Sequence, residues 1–356
     1  MNEMELIHTK LTEFVRMPSS AETGVSGILE AARASAEEIG LRPTVHEGLG
    51  AIEASSGPGG LLLNGHLDTV PVASGWTKGQ AVWEGDILYG RGSADMKAGC
   101  VAALAAARTL VERGKPVSLL FTTDEETTMA ASKALAASPV VREAAAVVVL
   151  EPTSLHVIAS EKGVLWYRVT THGRSAHGSL PHLGDSAIQR TARALGRLEP
   201  LSRPRDVLGE ITVNPGQIRG GVAPNVVADA CTVELDCRHP PASPKSEVES
   251  LLRNAFQEPG GEVTFELVHE VPPAGVPFDA AHVRALQELA GTEIRGVAYA
   301  TEMAWYAAHN PRCVVFGPGE TARIHVPDER VSLRETVRAA DLLVRYAERL
   351  AALPEG

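Results

Sequence analysis

The chain has 356 residues, of which 44% are hydrophobic and 22% charged, as is typical of a globular protein with a sizeable core. Its 44 acidic residues outnumber its 33 basic ones, and the net charge of −11 disfavours binding to nucleic acid or to an anionic membrane. We expect a cytoplasmic protein, because the sequence shows no apolar run long enough to span a membrane and no signal-peptide core. The four cysteines have neither metal-binding nor disulfide spacing, so we expect buried free thiols.

Helical and strand-like patterns alternate through the first part of the chain. Helical patterning occurs at 4–17, 24–40, 97–113 and 132–137, and strand-like runs occur at 44–54, 60–64, 117–122 and 145–150. The last two runs are mostly apolar, as expected for strands buried on both faces. This alternation predicts an α/β domain with a mostly parallel sheet. In such sheets, ligands bind at the carboxyl ends of the strands.

From residue 164 the pattern changes. Strand-like runs at 164–171, 209–218, 228–238 and 262–268 are interleaved with helical patterns at 185–198 and 246–257. The order β-α-β-β-α-β suits a two-layer α+β unit with an antiparallel sheet. A Pro-rich segment at 271–277 is typical of a linker, and helical or strand patterns follow at 280–290, 313–316 and 332–350. We therefore predict an inserted domain at 164–275 within a catalytic domain formed by 1–163 and 276–356.

Two polar residues after the run 60–64 have the spacing of a metal site. His66 and Asp68 are two residues apart, so an extended backbone points both side chains to one side of the sheet. An imidazole can then bind an ion while the carboxylate holds the other ring nitrogen. Asp95, in a loop before a helix, adds a short carboxylate that can bind one cation or bridge two. An isolated His-x-Asp pair is more often a buried structural hydrogen bond, so the interpretation depends on other segments.

Three further acidic residues and a second histidine complete the pattern. Glu125 and Glu126 follow one apolar strand, Glu151 ends the next, and His325 lies in a Pro- and Gly-rich loop. Acidic runs and loop histidines are commonly solvated surface groups, and it is the position at strand ends that indicates one shared site. Two histidines and three carboxylates suit two divalent cations of the zinc type with an activated water between them. The remaining glutamate suits a general base.

Two functions of other classes fit parts of this pattern. A catalytically inactive protein that acts as a binding subunit is disfavoured, because every type of metal ligand and a glutamate suited to be the general base are present. A small-molecule binding protein with calcium in its acidic loops is disfavoured by the two histidines, since calcium prefers oxygen ligands.

The motifs that carry these residues resemble one known family. The matching stretches are GHLDTVP at 65–71, GRGSADMKAG at 90–99, DEE at 124–126, EPT at 151–153, GRSAH at 173–177, PHLG at 181–184 and the run 317–329. In this order, and over nearly the whole chain, the sequence resembles the di-zinc hydrolases that include acetylornithine deacetylase, succinyl-diaminopimelate desuccinylase and carboxypeptidase G. The resemblance implies two Zn²⁺ (or Co²⁺) ions per subunit and a homodimer formed through the inserted domain.

The resemblance also implies which residues bind each ion. His66 and Glu151 would complete the ligands of one ion, and Glu126 and His325 those of the other. Asp95 would bridge both ions. In the family the peptide bond that follows this aspartate is cis.

Three further residues receive catalytic roles from the resemblance. Asp68 would orient His66. Glu125 would take a proton from the water between the ions and return it to the leaving amine. His177, in the inserted domain, would reach the active site of the partner subunit and polarise the scissile carbonyl.

The resemblance also indicates a substrate class. Asn225 and Arg238 match substrate-binding positions, and an arginine suits the carboxylate of an amino acid. Glu302, in a segment most like acetylornithine deacetylase, is predicted to meet a cationic side chain, although it equally suits a helix start. We expect hydrolysis of an N-acyl amino acid of the N-acetylornithine type. Succinyl-diaminopimelate desuccinylase, an amino-acid-carrier-protein hydrolase and a carboxypeptidase or dipeptidase are the alternatives.

Overall fold

The computed structural model describes residues 2–198, 208–258 and 261–353. The α-helices are α1 (Glu3–Arg16), α2 (Ser26–Glu38), α3 (Ala98–Glu112), α4 (Ala130–Leu135), α5 (Pro139–Arg142), α6 (Ala187–Leu198), α7 (Lys245–Phe256), α8 (Ala281–Ala290), α9 (Met303–Tyr306) and α10 (Leu333–Leu350). The strands are β1 (Arg42–His46), β2 (Ala51–Ser55), β3 (Leu61–His66), β4 (Val82–Glu84), β5 (Ile87–Tyr89), β6 (Val117–Thr122), β7 (Ala146–Val149), β8 (Val157–Glu161), β9 (Gly163–His172), β10 (Thr212–Gly220), β11 (Ala230–His239), β12 (Val263–Val271), β13 (Ala274–Gly275), β14 (Ile294–Val297), β15 (Cys313–Val315) and β16 (Arg330–Ser332). Within the described ranges, no helix combines the length and apolar character needed to cross a membrane.

The chain forms two compact units. The first comprises 1–159, 276–295 and 301–356, and the second comprises 160–275 and 296–300. The boundaries predicted from the sequence place 160–163 and 296–300 in the catalytic domain instead. The structure joins these two short segments to each other, because the backbone N–H of Lys162 donates to the carbonyl of Val297 at 3.2 Å. The assignment of catalysis and dimerisation to the two units stays a prediction.

The first unit is built on a large mixed sheet. Its strands run in the order β1-β2-β6-β3-β7-β15-β8, and β14 pairs with β8. The last two residues of β8, Ser160 and Glu161, belong to the second unit and pair with β13 of that unit. The four central strands β6, β3, β7 and β15 are parallel, whereas the pairs β1–β2, β2–β6 and β15–β8 are antiparallel. Every residue of β3, β6 and β7 is buried, which is why these segments form apolar runs in the sequence. The predicted α/β class is confirmed, with a parallel centre and antiparallel flanks.

Two parts of the first unit differ from the pattern in the sequence. The predicted strand at 44–54 is two strands, β1 and β2, because a short 3₁₀ turn at Glu47–Leu49 reverses the chain. Gly50 closes that turn with a φ of 60°, a left-handed conformation that glycine adopts without strain. A small sheet in the order β16-β5-β4 was not predicted, since strands of three residues carry too little periodicity to recognise.

The second unit has the predicted β-α-β-β-α-β order. Its elements β9, α6, β10, β11, α7 and β12 form an antiparallel sheet in the order β10-β11-β9-β12 with two helices. Alternate residues of β9, including Leu165, Tyr167 and Val169, pack in a core with Leu252 of α7. The intervening Trp166 is 45% exposed. The alternation predicted from the sequence therefore reflects one covered and one open face.

Candidate metal centre

The central strands bring three predicted ligands to one edge of the sheet. β6, β3 and β7 are neighbours and run parallel, so their carboxyl ends lie side by side. His66 is the last residue of β3, Glu126 lies in the turn after β6, and Glu151 follows β7. The polar side chains follow the apolar strands at this edge, where each can reach solvent, a hydrogen-bond partner or an ion.

Asp95 faces both predicted histidine ligands. It lies in the turn Ser93–Lys97 between β5 and α3, and the Asp95–Met96 peptide bond is cis, as the resemblance implies. Asp95 Oδ1 is 3.2 Å from His66 Nε2, and Asp95 Oδ2 is 3.1 Å from His325 Nε2. One carboxylate thus has an oxygen directed at each imidazole.

Two triads of possible metal ligands share this aspartate. One is His66, Asp95 and Glu151, and the other is Asp95, Glu126 and His325, with ligand atoms within 4.8 Å of one another in each triad. His66 Nε2 lies 3.7 Å from Glu151 Oε1, and His325 Nε2 lies 3.0 Å from Glu126 Oε1. The first triad is buried, whereas the His325 side chain is 48% exposed. The structure therefore brings all five predicted ligands together in the pairing that the resemblance implies.

The donor set fits two divalent cations. His66 Nδ1 lies 3.0 Å from the backbone carbonyl of Asp68, which only accepts, so Nδ1 carries the proton and the Nε2 lone pair points toward the carboxylates. A lone pair directed at buried carboxylates is unfavourable without a positive charge between them. Zinc and cobalt accept both imidazole nitrogens and carboxylate oxygens, whereas calcium prefers oxygen ligands alone.

The pKa values show how strongly these groups interact. Burial lowers the pKa of His66, but hydrogen bonds with Asp68 and Asp95 outweigh it, and the net pKa is well above the usual value. Asp95 and Glu126 raise the pKa of His325 to about 10. Burial by itself would raise the pKa of Asp95, but its hydrogen bonds with His325 and His66 hold it below the usual range. Cation binding would compete with protonation of these groups.

Glu125 is mostly buried and lies near other carboxylates. Its Oε2 lies 4.0 Å from His66 Nε2, and its side chain is 11% exposed. Burial raises the pKa of Glu125 well above the usual value, His66 opposes the rise, and the carboxylates of Glu126 and Asp95 add to it. Burial likewise raises the pKa of Glu151. A carboxylate with a raised pKa, at the rim of a possible metal pair, is suited to exchange protons.

Asp68 has a wider set of contacts than predicted. Its Oδ1 lies 3.4 Å from His66 Nδ1, farther than its own backbone carbonyl. Its two carboxylate oxygens accept the backbone N–H groups of Glu125 (3.3 Å) and Glu126 (3.1 Å). Asp68 thus fixes the turn that carries both glutamates, in addition to lying beside the imidazole.

Most of the chain matches one family. Residues 62–349 fit the family described as Peptidase family M20/M25/M40. The chain belongs to this family. The predicted membership of a family of amidohydrolases and peptidases is thereby confirmed.

Curated proteins with similar sequences include acetylornithine deacetylases. That of Photorhabdus laumondii subsp. laumondii is 35% identical over 295 residues, covering 78% of this chain and 76% of the relative. That of Myxococcus xanthus is 32% identical over 365 residues, covering 95% of this chain and 96% of the relative. Family membership and these relatives identify a metallohydrolase of amide bonds and support hydrolysis of N-acyl amino acids.

Solved structures of family members share the fold. Aminopeptidase PepT from Bacillus cereus ATCC 10987 has a TM-score of 0.83 at 20% identity, covering 98% of this chain and 99% of that one. The Bacillus subtilis YXEP protein, a dinuclear metal-binding peptidase from the M20 family, has a TM-score of 0.75 at 14% identity, covering 99% of both chains. At these identities the likeness concerns the fold.

Glu302 lies elsewhere than its predicted role requires. Its side chain is fully buried, and its Oε1 accepts a hydrogen bond from Thr122 Oγ1 at 2.8 Å. Glu302 is the N-cap residue of the short helix α9, as the alternative interpretation expects, and its side chain lies against Thr122 at the end of β6. A fully buried carboxylate is not accessible to a substrate, so the predicted contact with a cationic side chain is not supported. Burial raises the pKa of Glu302 to about 7, against the hydrogen bond from Thr122.

We expect Glu302→Gln to stabilise the metal-free protein at pH 8. A carboxyl whose pKa rises from 4.5 to about 7 on folding favours the folded state below pH 4.5, and this contribution is lost as the pH rises through 7. This shift in the pKa of Glu302 corresponds to a change of about 3 kcal/mol in the free energy of unfolding between these pH values. Thermal unfolding in the presence of a chelator should show a higher Tm for the variant at pH 8 and no difference at pH 4.5. The exposed Glu22→Gln is the control, and an equal change of Tm at both pH values would contradict the assignment.

Three predicted residues lie in the second unit. His177 is exposed, and its Nδ1 accepts the backbone N–H of Ser179 at 3.2 Å, so Nε2 carries the proton of the neutral ring. Asn225 is adjacent, since its carbonyl accepts the N–H of Gly178 at 2.7 Å. A Cβ at Gly178 would lie 2.9 Å from Asn225 C, so this close approach requires glycine.

Arg238 has a partner within its own strand. Its Nε and Nη2 donate to the two carboxylate oxygens of Asp236 at 2.7 and 3.1 Å. The guanidinium of Arg238 thus forms a bidentate contact with Asp236, of the kind that an arginine can also make with a substrate carboxylate. Its role in substrate binding, like that of His177 and Asn225, stays a prediction.

Glu329 and Arg91 adjoin the candidate centre, although neither receives a role from the sequence. Glu329 is fully buried, Arg91 is 5% exposed, and the two form an ion pair. Both residues belong to motifs that resemble the family. Nothing in the local sequence links them, since their contact joins segments far apart in the chain.

Proposed function

We propose that this protein hydrolyses the amide bond of an N-acyl amino acid, most closely that of N-acetylornithine, with two Zn²⁺ or Co²⁺ ions in a cytoplasmic enzyme. The observation that carries this proposal is Asp95, whose two oxygens each face a histidine of a separate ligand triad. A carboxylate placed in this way suits a bridge between two ions. The acetylornithine deacetylase relatives support the substrate class.

The residues of the chain divide the chemistry between them. When bound, the ions would supply Lewis-acid activation of water and of the scissile carbonyl. Glu125, near His66 at the rim of both triads, would accept a proton from the attacking water. The water oxygen bonds to the acyl carbon, the carbon–nitrogen bond breaks, and Glu125 returns the proton to the leaving amine. The products are a carboxylate and an amino acid.

His177 would supply a hydrogen bond to the carbonyl oxygen. Because Ser179 donates to Nδ1, the neutral imidazole presents an Nε2–H donor, which is what a developing oxyanion requires. The ring is exposed at the surface of the second unit, as needed for a group that enters another subunit. We infer that it acts in the active site of the partner subunit of a homodimer.

The second unit has a surface suited to this homodimer. Among the described residues, strand β10 is at one edge of the four-stranded sheet, and an edge strand can pair with a strand of another chain. Large apolar side chains are exposed along the same unit, namely Leu180, Leu183, Ile188, Ile218 and Val222 at 42–84%. An edge strand accompanied by exposed apolar residues is typical of a surface that another chain covers.

A substrate panel tests the proposal. Protein stripped of metal and reloaded with Zn²⁺ or Co²⁺ should hydrolyse N-acetylornithine faster than N-succinyl-diaminopimelate, an amino-acid-carrier conjugate or a dipeptide. Metal analysis of protein purified without added zinc should find about two ions per chain. If another compound of the panel is hydrolysed fastest, the proposed substrate is wrong, and that compound indicates the activity within the same family. Retained metal with no hydrolysis would favour an inactive binding subunit.

We expect His177→Ala to lower kcat by about 10²–10³-fold, the usual effect of removing one oxyanion donor. The fold should be unaffected because the side chain is exposed. Mixing this variant with Glu125→Gln under subunit exchange should restore up to about a quarter of wild-type activity, since half of the dimers then hold one intact site. His177→Gln, which keeps a donor, is the matched variant. Unchanged kinetics, or no recovery on mixing despite exchange, would refute the role in the partner subunit.

A further inference from the structure

A buried ion pair lies next to the turn that carries the bridging carboxylate. Glu329 is fully buried, and its Oε1 accepts the backbone N–H groups of Ala94 (3.0 Å) and Asp95 (3.1 Å). Its Oε2 accepts a hydrogen bond from Arg91 Nη1. Both oxygens of Glu329 are therefore engaged by donors of the chain, and Glu329 is in neither ligand triad of the described residues.

The contacts of Glu329 fix the backbone from which the Asp95 side chain extends. Two adjacent N–H groups held by one oxygen restrain the orientation of both peptide planes. The direction of the Asp95 Cα–Cβ bond follows from those planes. Because Asp95 has to direct one oxygen to each histidine, a small rotation of this turn would misplace both oxygens at once.

Glu329 also belongs to the segment that carries His325. Its backbone carbonyl accepts the N–H of Gly90 at 3.0 Å, which ties the segment to the start of the same turn. The preceding Asp328 accepts hydrogen bonds from the backbone N–H groups of Thr77 (2.8 Å) and Lys78 (3.0 Å). The loop of the second histidine and the turn of the bridging aspartate are thus joined through one side chain.

We propose that Glu329 is a positioning residue that sets the geometry of the two ion sites by fixing the Asp95 turn to the His325 loop. This inference rests on the proposed function, because it requires that the two triads bind ions. Partners that orient metal ligands without touching the metal typically change metal affinity 10–100-fold when they are removed. Glu329 is expected to have an effect of this size, greatest for the site that contains His325.

The test compares Glu329→Gln with a double variant. In Glu329→Gln the amide oxygen is drawn to Arg91, and the NH₂ group then faces the N–H groups of Ala94 and Asp95, donor against donor. Zn²⁺ affinity, measured by competition with a chromophoric chelator, should fall about 10–100-fold for at least one ion. In the double variant R91Q/E329Q the amide oxygen is free to accept those N–H groups, so the affinity should recover most of this loss.

Two measurements separate positioning from general destabilisation. Asp86→Asn is the matched control, since Asp86 bonds Ser332 and Arg334 after the same segment without touching the triads. It should lower the Tm of the metal-free protein and leave Zn²⁺ affinity unchanged. The double variant keeps the test valid if the single variant unfolds, because replacing both members of the pair leaves no uncompensated buried charge.

The outcomes distinguish this inference from the proposed function. Wild-type protein that binds fewer than two Zn²⁺ ions would overturn both. Two tightly bound ions in the wild type and unchanged affinities in Glu329→Gln would overturn the role of Glu329 alone. That role is also overturned if Asp86→Asn weakens zinc binding as much as Glu329→Gln does.

Discussion

Glu125→Gln is expected to reduce kcat by about 10²–10⁴-fold while both ions stay bound. The amide has nearly the shape of the carboxylate but cannot accept a proton from water. The backbone N–H of Glu125 that Asp68 accepts is unchanged by the substitution, so the turn should keep its conformation. Steady-state kinetics together with metal analysis of the same preparation check both parts of the expectation.

The role of Glu125 is decided by turnover and metal content together. Normal turnover with normal metal content would remove Glu125 from the role of base. Loss of activity with loss of metal would instead make it a ligand, which its 4.0 Å distance from His66 Nε2 also permits. Glu53→Gln, at a partly exposed position of β2 away from the triads, is the control and should leave both quantities unchanged.

Asp95→Ala is expected to abolish both activity and stoichiometric metal binding. Asp95 is the only residue common to the two triads within the described part of the chain, so its loss removes a ligand from each. Each triad would keep only two ligands, fewer than either ion needs. Metal analysis after dialysis should find less than one ion per chain, with a smaller rise of Tm on addition of Zn²⁺ than in the wild type.

Asp95→Asn provides the matched control for this prediction. It keeps the shape and one acceptor oxygen, and its NH₂ group would face one of the two histidines. One ion should then be retained more tightly than the other. Two ions bound to Asp95→Ala as tightly as to the wild type would exclude the bridge.

The buried half of the site could be predicted from the sequence for a physical reason. β3, β6 and β7 are wholly buried, so each forms an apolar run whose end is marked by the first polar residue. Parallel neighbours place those ends together, which is why periodicity alone assigns His66 and Glu151 to one edge of the sheet. The α/β class and the β-α-β-β-α-β order follow from the same periodicities.

The loop residues could not be placed by periodicity. Asp95 and His325 are candidates by residue type alone, and only the resemblance to a family assigns them to particular ions. Their conformations depend on contacts such as that between Glu329 and the N–H groups of Ala94 and Asp95. For Glu302, resemblance to acetylornithine deacetylase suggested a contact with the substrate, whereas the alternative of a helix start is the position that it occupies in the structure. Its burial behind β6 arises from tertiary packing, which local sequence does not record.

The contacts of Asp68 make the site difficult to divide into independent parts. One carboxylate accepts the N–H groups of both Glu125 and Glu126 and lies beside the His66 ring. A change at Asp68 therefore alters the proposed base and a proposed ligand at the same time. Free-energy losses measured for single substitutions at Asp68 and Glu125 will not sum to that of the double substitution, and a thermodynamic cycle is needed to separate them.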